Sequence, residues 1–255
     1  TRFGDLACFW FDGDWPRHQI NEENAYFAAG GSFEYERLYG IIRDKQPEAV
    51  IHNNRHDKPL PGEDVQGFEQ DLPGENTAGF NTTDVYDMPI EVCMTINDNW
   101  GIHFEDQNHK STRHLIRNLI KSASMGGNYL LNVGPTARGA ILPEHARRLR
   151  EMGIWLKLNG DSIYTTRAGR VPPTRITTST YRPCTDPGCD SGTHFIHVLE
   201  DVSNCVKLKN VPETVTTARL VRDGSPVVLE RRGEEVILTI PSRLRDPLGT
   251  AVALF

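Results

Sequence analysis

The strongest constraint on this chain is an alternation that stops. From Leu6 to about residue 166, short apolar runs take turns with amphipathic stretches of helical period, and beyond about 167 no helical period remains. LACFWF (6–11) reads as a strand covered on both faces. FEYERLYGIIRDK (33–45) reads as a helix ended by Pro47, and AVIHN (49–53) as a second strand. The Gly-, Pro- and Asp-rich stretch 55–80 reads as one long loop, followed by a strand at IEVCMTI (90–96). A helix is expected over Ser111–Met125, with Leu115, Ile116, Leu119 and Ile120 on one face and Gly126-Gly127 as its stop. NYLLNVG (128–134) reads as another buried strand, and Pro143 opens a helix that runs to Asn159-Gly160. Strand and helix in strict alternation predict a parallel sheet.

After 167 the texture is that of short strands: THFIHVLE, CVKLKN, TARLV, PVVLERR, EEVILTIP and TAVALF, with DGS and RGEE where tight turns belong. The expected division is therefore an α/β part over 1–166 and a small antiparallel β-sandwich over 167–255, joined near Thr166–Thr174 where Gly169, Pro172 and Pro173 cluster. About four strands and three helices are too few to close an eight-stranded barrel, which typically takes about 250 residues. The α/β part is thus a small open sheet or half of such a barrel.

Charge narrows the partners. With 28 basic and 34 acidic residues the formal net charge is -6, which gives no general attraction to nucleic acid or to an anionic membrane surface. No apolar run approaches the roughly 20 residues of a membrane span, the composition is that of a soluble globular chain, and TRFGDLACFW lacks the layout of a signal peptide. Of five cysteines, Cys8 and Cys93 sit in apolar runs and read as packing. Cys184 and Cys189 bracket a turn sequence suited to a local disulfide, and Cys205 completes no recognised metal spacing. Asn81-Thr82-Thr83 matches a glycosylation sequon.

The chemistry is carried by carboxylates. Asp12 ends the first strand beside Trp10, in the segment FWFDGDWP, and further acids follow at Asp14, Glu63, Asp64, Glu69, Asp71, Glu75 and Glu91. Glycoside hydrolysis uses two carboxyl groups facing each other across the scissile bond. Asp12 is the candidate for the first, with an aromatic neighbour suited to the apolar side of a sugar. Glu69 is the candidate for the second, on the expectation that adjacent Phe68 desolvates it and raises its pKa. Glu91 is its rival. Arg55 offers forked hydrogen bonds to hydroxyls or a salt bridge closing its loop, and Trp100 a stacking wall or a loop anchor. His52, His56 and His103 lie nearby in sequence, where lone histidines are more often structural than catalytic. No phosphate-cradling loop and no H-E-x-x-H zinc motif occurs.

Three of these segments together resemble the α-L-fucosidases of glycoside hydrolase family 29. The longest is SASMGGNYLLNVGPTARGAILPEHARRLREMGIWLKLNGDSIYTTR (122–167). GDLACFWFDGDWP resembles the strand bearing that family's nucleophile, and IEVCMTINDNWGIH a later active-site strand with its aromatic loop. The resemblance implies the C-terminal half of a (β/α)8-like catalytic barrel followed by the sandwich. It also implies hydrolysis of terminal α-L-fucose from glycans, without metal or other cofactor, by retaining double displacement through a covalent fucosyl-enzyme. In that scheme Asp12 is the nucleophile, Glu69 the acid/base, and Trp10, Arg55, Glu91 and Trp100 the sugar contacts. Nothing here matches the histidine-rich strands with which the family begins, so the expected partners are a fucosylated substrate and either a second copy of the chain or a complementing N-terminal half. The alternative is a glycan-binding module that grips fucose without turning it over.

Overall fold

The computed structural model describes residues 4–13, 33–185, 192–200 and 204–255. Asp14, Trp15 and Cys189, singled out above, lie outside these residues. Two compact units emerge, 1–94 and 95–255.

In the first unit, β1 (Cys8–Phe11), α1 (Tyr35–Lys45), β2 (Val50–Asn53), β3 (Val65–Glu69) and β4 (Ile90–Thr95, which ends just past the unit's edge) follow in order. The strands pair in sequence order, each parallel to the last. Tyr35, Tyr39 and Ile42 recur at helical spacing on α1 and are buried with Ala49 and Ile51 against Phe9 and Phe11. Side chains on a strand alternate faces, so Phe9 and Phe11 point to α1 while Cys8 and Trp10 point to the other side. Two expectations change here. Leu6 and Trp10 are 39 % and 40 % exposed and Cys8 is exposed, so the first strand is not covered on both faces; among the described residues β1 pairs with β2 alone. The stretch 55–80 is not one loop, because β3 runs through it with Glu69 at its C-terminal end.

Gly67 in mid-β3 explains why that strand is hard to read. A Cβ there would lie 2.5 Å from His52 Nε2, so the position is kept bare by its neighbour on β2 rather than by backbone conformation.

The second unit holds α2 (Thr112–Ser124), β5 (Gly127–Asn132) and α3 (Pro143–Asn159), then β6 (Arg167–Ala168), β7 (Thr177–Arg182), β8 (Thr193–Val198), β9 (Cys205–Lys209), β10 (Ala218–Leu220), β11 (Pro226–Arg232), β12 (Glu235–Thr239) and β13 (Thr250–Leu254). Ser111 caps α2 by accepting from the His114 N–H at 3.2 Å. Leu115, Ile116 and Ile120 of α2 pack with Met152 and Trp155 of α3. β5 departs from the fully buried strand expected of NYLLNVG, since Leu130 is exposed.

Strands β6 to β13 form an antiparallel sheet in the order β6-β7-β8-β13-β10-β11-β12-β9. Ile196, Val206, Leu208, Val236, Leu238 and Val252, from both ends of that order, share one core, which is the packing of a sandwich. The turns at DGS and RGEE use Gly224 and Gly233 at φ 72° and 60°, where only glycine is unstrained. The helices are tied to the sandwich inside this unit: Trp155 Nε1 donates to Gly249 O at 2.9 Å, the Gly169 N–H to Ser124 O at 2.9 Å, and Arg117 pairs with Glu200 at 2.8 Å. Cys184 is disulfide-bonded, and Cys8 and Cys93 are free thiols. Among the described residues no helix is long and apolar enough to cross a membrane.

Candidate active site

Parallel pairing sorts one face of the first unit into two rows. Trp10 stands opposite His52, and Gly67 opposite Glu91. Two residues further along each strand, toward the C-terminal ends, lie Asp12, Asn54, Glu69 and Cys93 on that same face. C-terminal strand ends are where parallel α/β folds gather their chemistry.

The lower row is a hydrogen-bonded brace. Trp10 Nε1 donates to Glu91 Oε1 at 2.8 Å, and His52 Nδ1 lies 3.2 Å from that oxygen. The Trp10 and His52 rings meet edge to face with centroids 5.2 Å apart. The His52 bond, joined by Trp10 and only partly opposed by burial, holds the Glu91 carboxyl below the ordinary glutamate value. Glu91 is therefore an anchored carboxylate.

The upper row brings two carboxylates onto one amide. Asn54 Nδ2 donates to Glu69 Oε2 at 2.6 Å and to Asp12 Oδ1 at 3.3 Å. The two acceptor oxygens share that nitrogen, so their separation cannot exceed about 6 Å, the two bonds laid end to end. His56 Nε2 lies 3.0 Å from the same Glu69 oxygen, with its ring 4.8 Å from that of Phe80. His56 itself adopts φ 61°, a left-handed conformation costly for a residue with a Cβ, which turns its side chain back to the carboxylate.

The Glu69 peptide is clamped from the following loop. Asn81 Oδ1 accepts from the Glu69 N–H at 3.1 Å, and its Nδ2 donates to Glu69 O at 2.8 Å and to Asp71 Oδ2 at 2.9 Å. Asn81 is only 5 % exposed. The sequon asparagine is thus a buried structural amide, closed to a glycan as folded. Burial works to raise the Asp71 pKa, but hydrogen bonds from Thr77, Ala78 and Asn81 outweigh it and leave the group below the ordinary value.

The other candidates have structural partners. Glu63 accepts from Tyr39 Oη at 2.7 Å and from the Leu60 N–H at 3.0 Å, and burial pushes its pKa up. Asp64 pairs with Arg43 and accepts from the Ile51 N–H at 2.7 Å. Glu75 is exposed. Arg55 is buried, donates to Lys58 O at 2.9 Å, and stands in the electrostatic reach of Glu63. Phe68 does not desolvate Glu69: consecutive residues of a strand face opposite ways, and Phe68 is wholly buried on the far side. Cys93 is the apolar neighbour instead, its thiol pushed up by burial and then by the charges of Glu69, Glu91 and Asp12.

Trp100 belongs to the second unit. Its carbonyl accepts from Asn132 Nδ2 at 2.7 Å and its ring is 40 % exposed. The adjoining backbone is pinned where Gly134 passes Gly101, so closely that a Cβ on Gly134 would come within 2.6 Å of Gly101 C. His103 is exposed. Among the described residues no group of three or more His, Cys, Asp or Glu side chains is arranged to hold a metal ion. Sequence reasoning overlooked Asn54 and undervalued His52 and His56; their signal is the alternation His-x-Asn-x-His in HNNRH, which continues the site face of β2 past its end.

Comparison with known proteins bears on the family and the fold. The family model described as Alpha-L-fucosidase matches residues 1–161. The tissue alpha-L-fucosidase of Homo sapiens is 33 % identical over 150 residues, covering 57 % of this chain and 31 % of that protein. The chain thus spans about a third of the length of that relative. Alpha-L-fucosidase isoenzyme 1 from Paenibacillus thiaminolyticus superposes with a TM-score of 0.75 at 27 % identity, covering 100 % of this chain and 58 % of the other. A Bacteroides thetaiotaomicron GH29 alpha-L-fucosidase, solved as a trapped covalent intermediate in complex with 2-fluoro-fucosyl fluoride, has a TM-score of 0.72 at 21 % identity over 98 % of this chain and 56 % of its own. Parallel strands with their helices and the antiparallel sandwich correspond to the C-terminal half of a (β/α)8-like barrel and the domain that follows it. On the match over 1–161, the chain belongs to the alpha-L-fucosidase family.

Proposed function

We propose that this chain supplies the carboxylate pair of a retaining exo-α-L-fucosidase. The observation that carries the reading is the single Asn54 nitrogen bonded to both Asp12 and Glu69. It limits the two bonded oxygens to about 6 Å, which is compatible with the roughly 5–5.5 Å between the carboxyl groups of a retaining pair. Asp12, exposed at its strand end, attacks the anomeric carbon as the leaving oxygen departs with a proton from Glu69. In the second step Glu69 takes a proton from water, which attacks the same carbon and releases Asp12. The trapped intermediate of the Bacteroides relative supports a covalent route.

Between the rival acids, electrostatics argues against Glu91. A general acid must be protonated in the ground state, and Glu91 is held ionised by His52 and Trp10. Glu91, Trp10 and Arg55 are the proposed sugar contacts. Catalysis is assigned to 1–166 and the ancillary sandwich to 167–255. Among the described residues the outward edge of β1 is unpaired and Leu38 and Ile41 are exposed on α1, which supports a further strand and helix completing the barrel.

Hydrolysis of 4-nitrophenyl α-L-fucoside tests the proposal, with this chain alone and with an N-terminal barrel half added. Activity is expected to vanish in Asp12→Asn, while Glu69→Ala retains part of its rate on this good leaving group and is accelerated by azide. Wild-type behaviour of either variant overturns the assignment.

A further inference from the structure

The sandwich holds a cavity of about 330 Å³ built from residues remote in sequence from the carboxylate pair. Tyr181 on β7 and His194 on β8 are direct cross-strand partners, their ring centroids are 4.9 Å apart, and both line it. Arg170, in the segment after β6, also lines it and lays its guanidinium 3.7 Å from the Tyr181 ring centroid. That cation–π contact holds a long side chain that would otherwise sample many rotamers. Val215, Leu254 and Phe255 add an apolar surface, and Asn210 and Thr214 add neutral polar groups.

The hydrogen-bond inventory of the wall is lopsided. His194 is buried, and among the described residues its Nδ1 has no partner. Tyr181 Oη accepts from the Gly192 N–H at 3.1 Å, and among the described residues its own proton goes to no acceptor. Arg170 makes no ion pair among the described residues, and no Asp or Glu side chain is among those described in the lining. A buried polar atom without a partner, such as His194 Nδ1, costs free energy until one arrives. The cavity shares Gly192 and Thr193 with a wider cleft of about 620 Å³ that carries Arg167 and Arg182, and Asp161 lies 3.6 Å from Arg182. Three arginines thus stand around the start of β8 on a chain whose net charge is -6.

We propose that this cavity is a second glycan site, one that takes an acidic sugar: a hexose-sized ring bearing a carboxylate or a sulfate. The oxyanion sits on Arg170, whose planar fork matches it. Tyr181 Oη and His194 Nδ1 bond ring or substituent oxygens, and the apolar ring face lies on Val215 and Leu254. Size selects a sugar over a bare anion, because at about 30 Å³ per water the space equals roughly ten waters, far more than sulfate fills.

Calorimetric titration of the full chain tests this with methyl α-D-glucuronide, methyl α-D-glucoside 6-sulfate, methyl α-D-glucoside and sodium sulfate. At least one acidic glycoside is expected to bind at least tenfold more tightly than the neutral glucoside and than inorganic sulfate, and the stronger of the two identifies the anion. Arg170→Met, at an exposed position, is expected to cost at least tenfold in that affinity with an unchanged unfolding curve. Asp12→Asn should bind like the parent, which separates this site from the carboxylate pair. Equal binding of the neutral glucoside, equal binding of sulfate, indifference to Arg170→Met, loss in Asp12→Asn, or no binding at all would each overturn the proposal.

Discussion

Replacing Gly67 by alanine adds one methyl group at the point where β3 passes His52. The new Cβ would stand 2.5 Å from His52 Nε2, 3.3 Å from Asn54 Oδ1 and 3.4 Å from His52 Cε1. Against an ordinary contact of about 3.5 Å, the ring must retreat by about 1 Å. It has nowhere free to go, because His52 is 2 % exposed and abuts Trp10. Retreat stretches the 3.2 Å bond from Nδ1 to Glu91. Overpacking costs about 1–3 kcal/mol, and a hydrogen bond to a charged group contributes about 1.5–3 kcal/mol. Removing a glycine from a strand interior returns roughly 0.5–1 kcal/mol. The net expectation is a loss of about 2–4 kcal/mol, read as a lower urea midpoint by far-UV circular dichroism. Because His52 is the leading cause of the depressed Glu91 pKa, that pKa should rise toward the ordinary value in carbon-13 titrations of labelled glutamate. In a His52→Ala background the same methyl should cost almost nothing. An unchanged midpoint, or an equal cost in both backgrounds, refutes the reasoning.

Asn81→Ala should destabilise the chain by about 2–3 kcal/mol in urea unfolding, since it strips both hydrogen bonds from the Glu69 peptide and one from Asp71. Expressed through a secretory pathway, the folded chain should show no glycan at Asn81 by mass spectrometry. In the sandwich, burial holds fully enclosed His197 down to about 4. A neutral-buried histidine contributes stability that is complete above its unfolded value of about 6.5 and is lost as pH falls toward 4, here about 3 kcal/mol. Unfolding midpoints across that window should flatten in His197→Gln.

The three helices were legible to within two residues because their ends carry local chemistry: Pro47 after α1, Ser111 before α2, Pro143 and Gly160 around α3. β3 was not legible, because Gly67 weakens its strand pattern and the reason for that glycine, His52, lies on another strand and meets it only through register. β7 was hidden differently. Its buried Thr177, Ser179 and Thr180 read as surface residues, and what makes their burial tolerable is long-range: Ser179 Oγ donates to Val171 O at 2.6 Å and Thr180 Oγ1 to Ser162 O at 2.6 Å. In the candidate site, residue type and position single out Asp12, Glu69 and Glu91 as candidates. Their division of labour could not, since it depends on which side chains each carboxylate meets across the sheet. The Phe68 argument failed for the same reason: adjacency in sequence is opposition on a strand.

That division follows from the two rows. Moving two residues along every strand keeps the face and changes the depth, so the same sheet presents a braced layer and an available one. In the braced layer Trp10 and His52 both converge on one oxygen of Glu91, and Gly67 leaves the room for the ring that does it. In the available layer a single amide, Asn54, bonds both carboxylates, Asp12 is exposed, and Glu69 also meets a histidine whose proton position sets whether the bond is donated or accepted. Trp10 and His52 together hold Glu91 as a fixed charge. The chemistry is therefore expected in the upper row, and the lower row is what keeps the strands of that row in register.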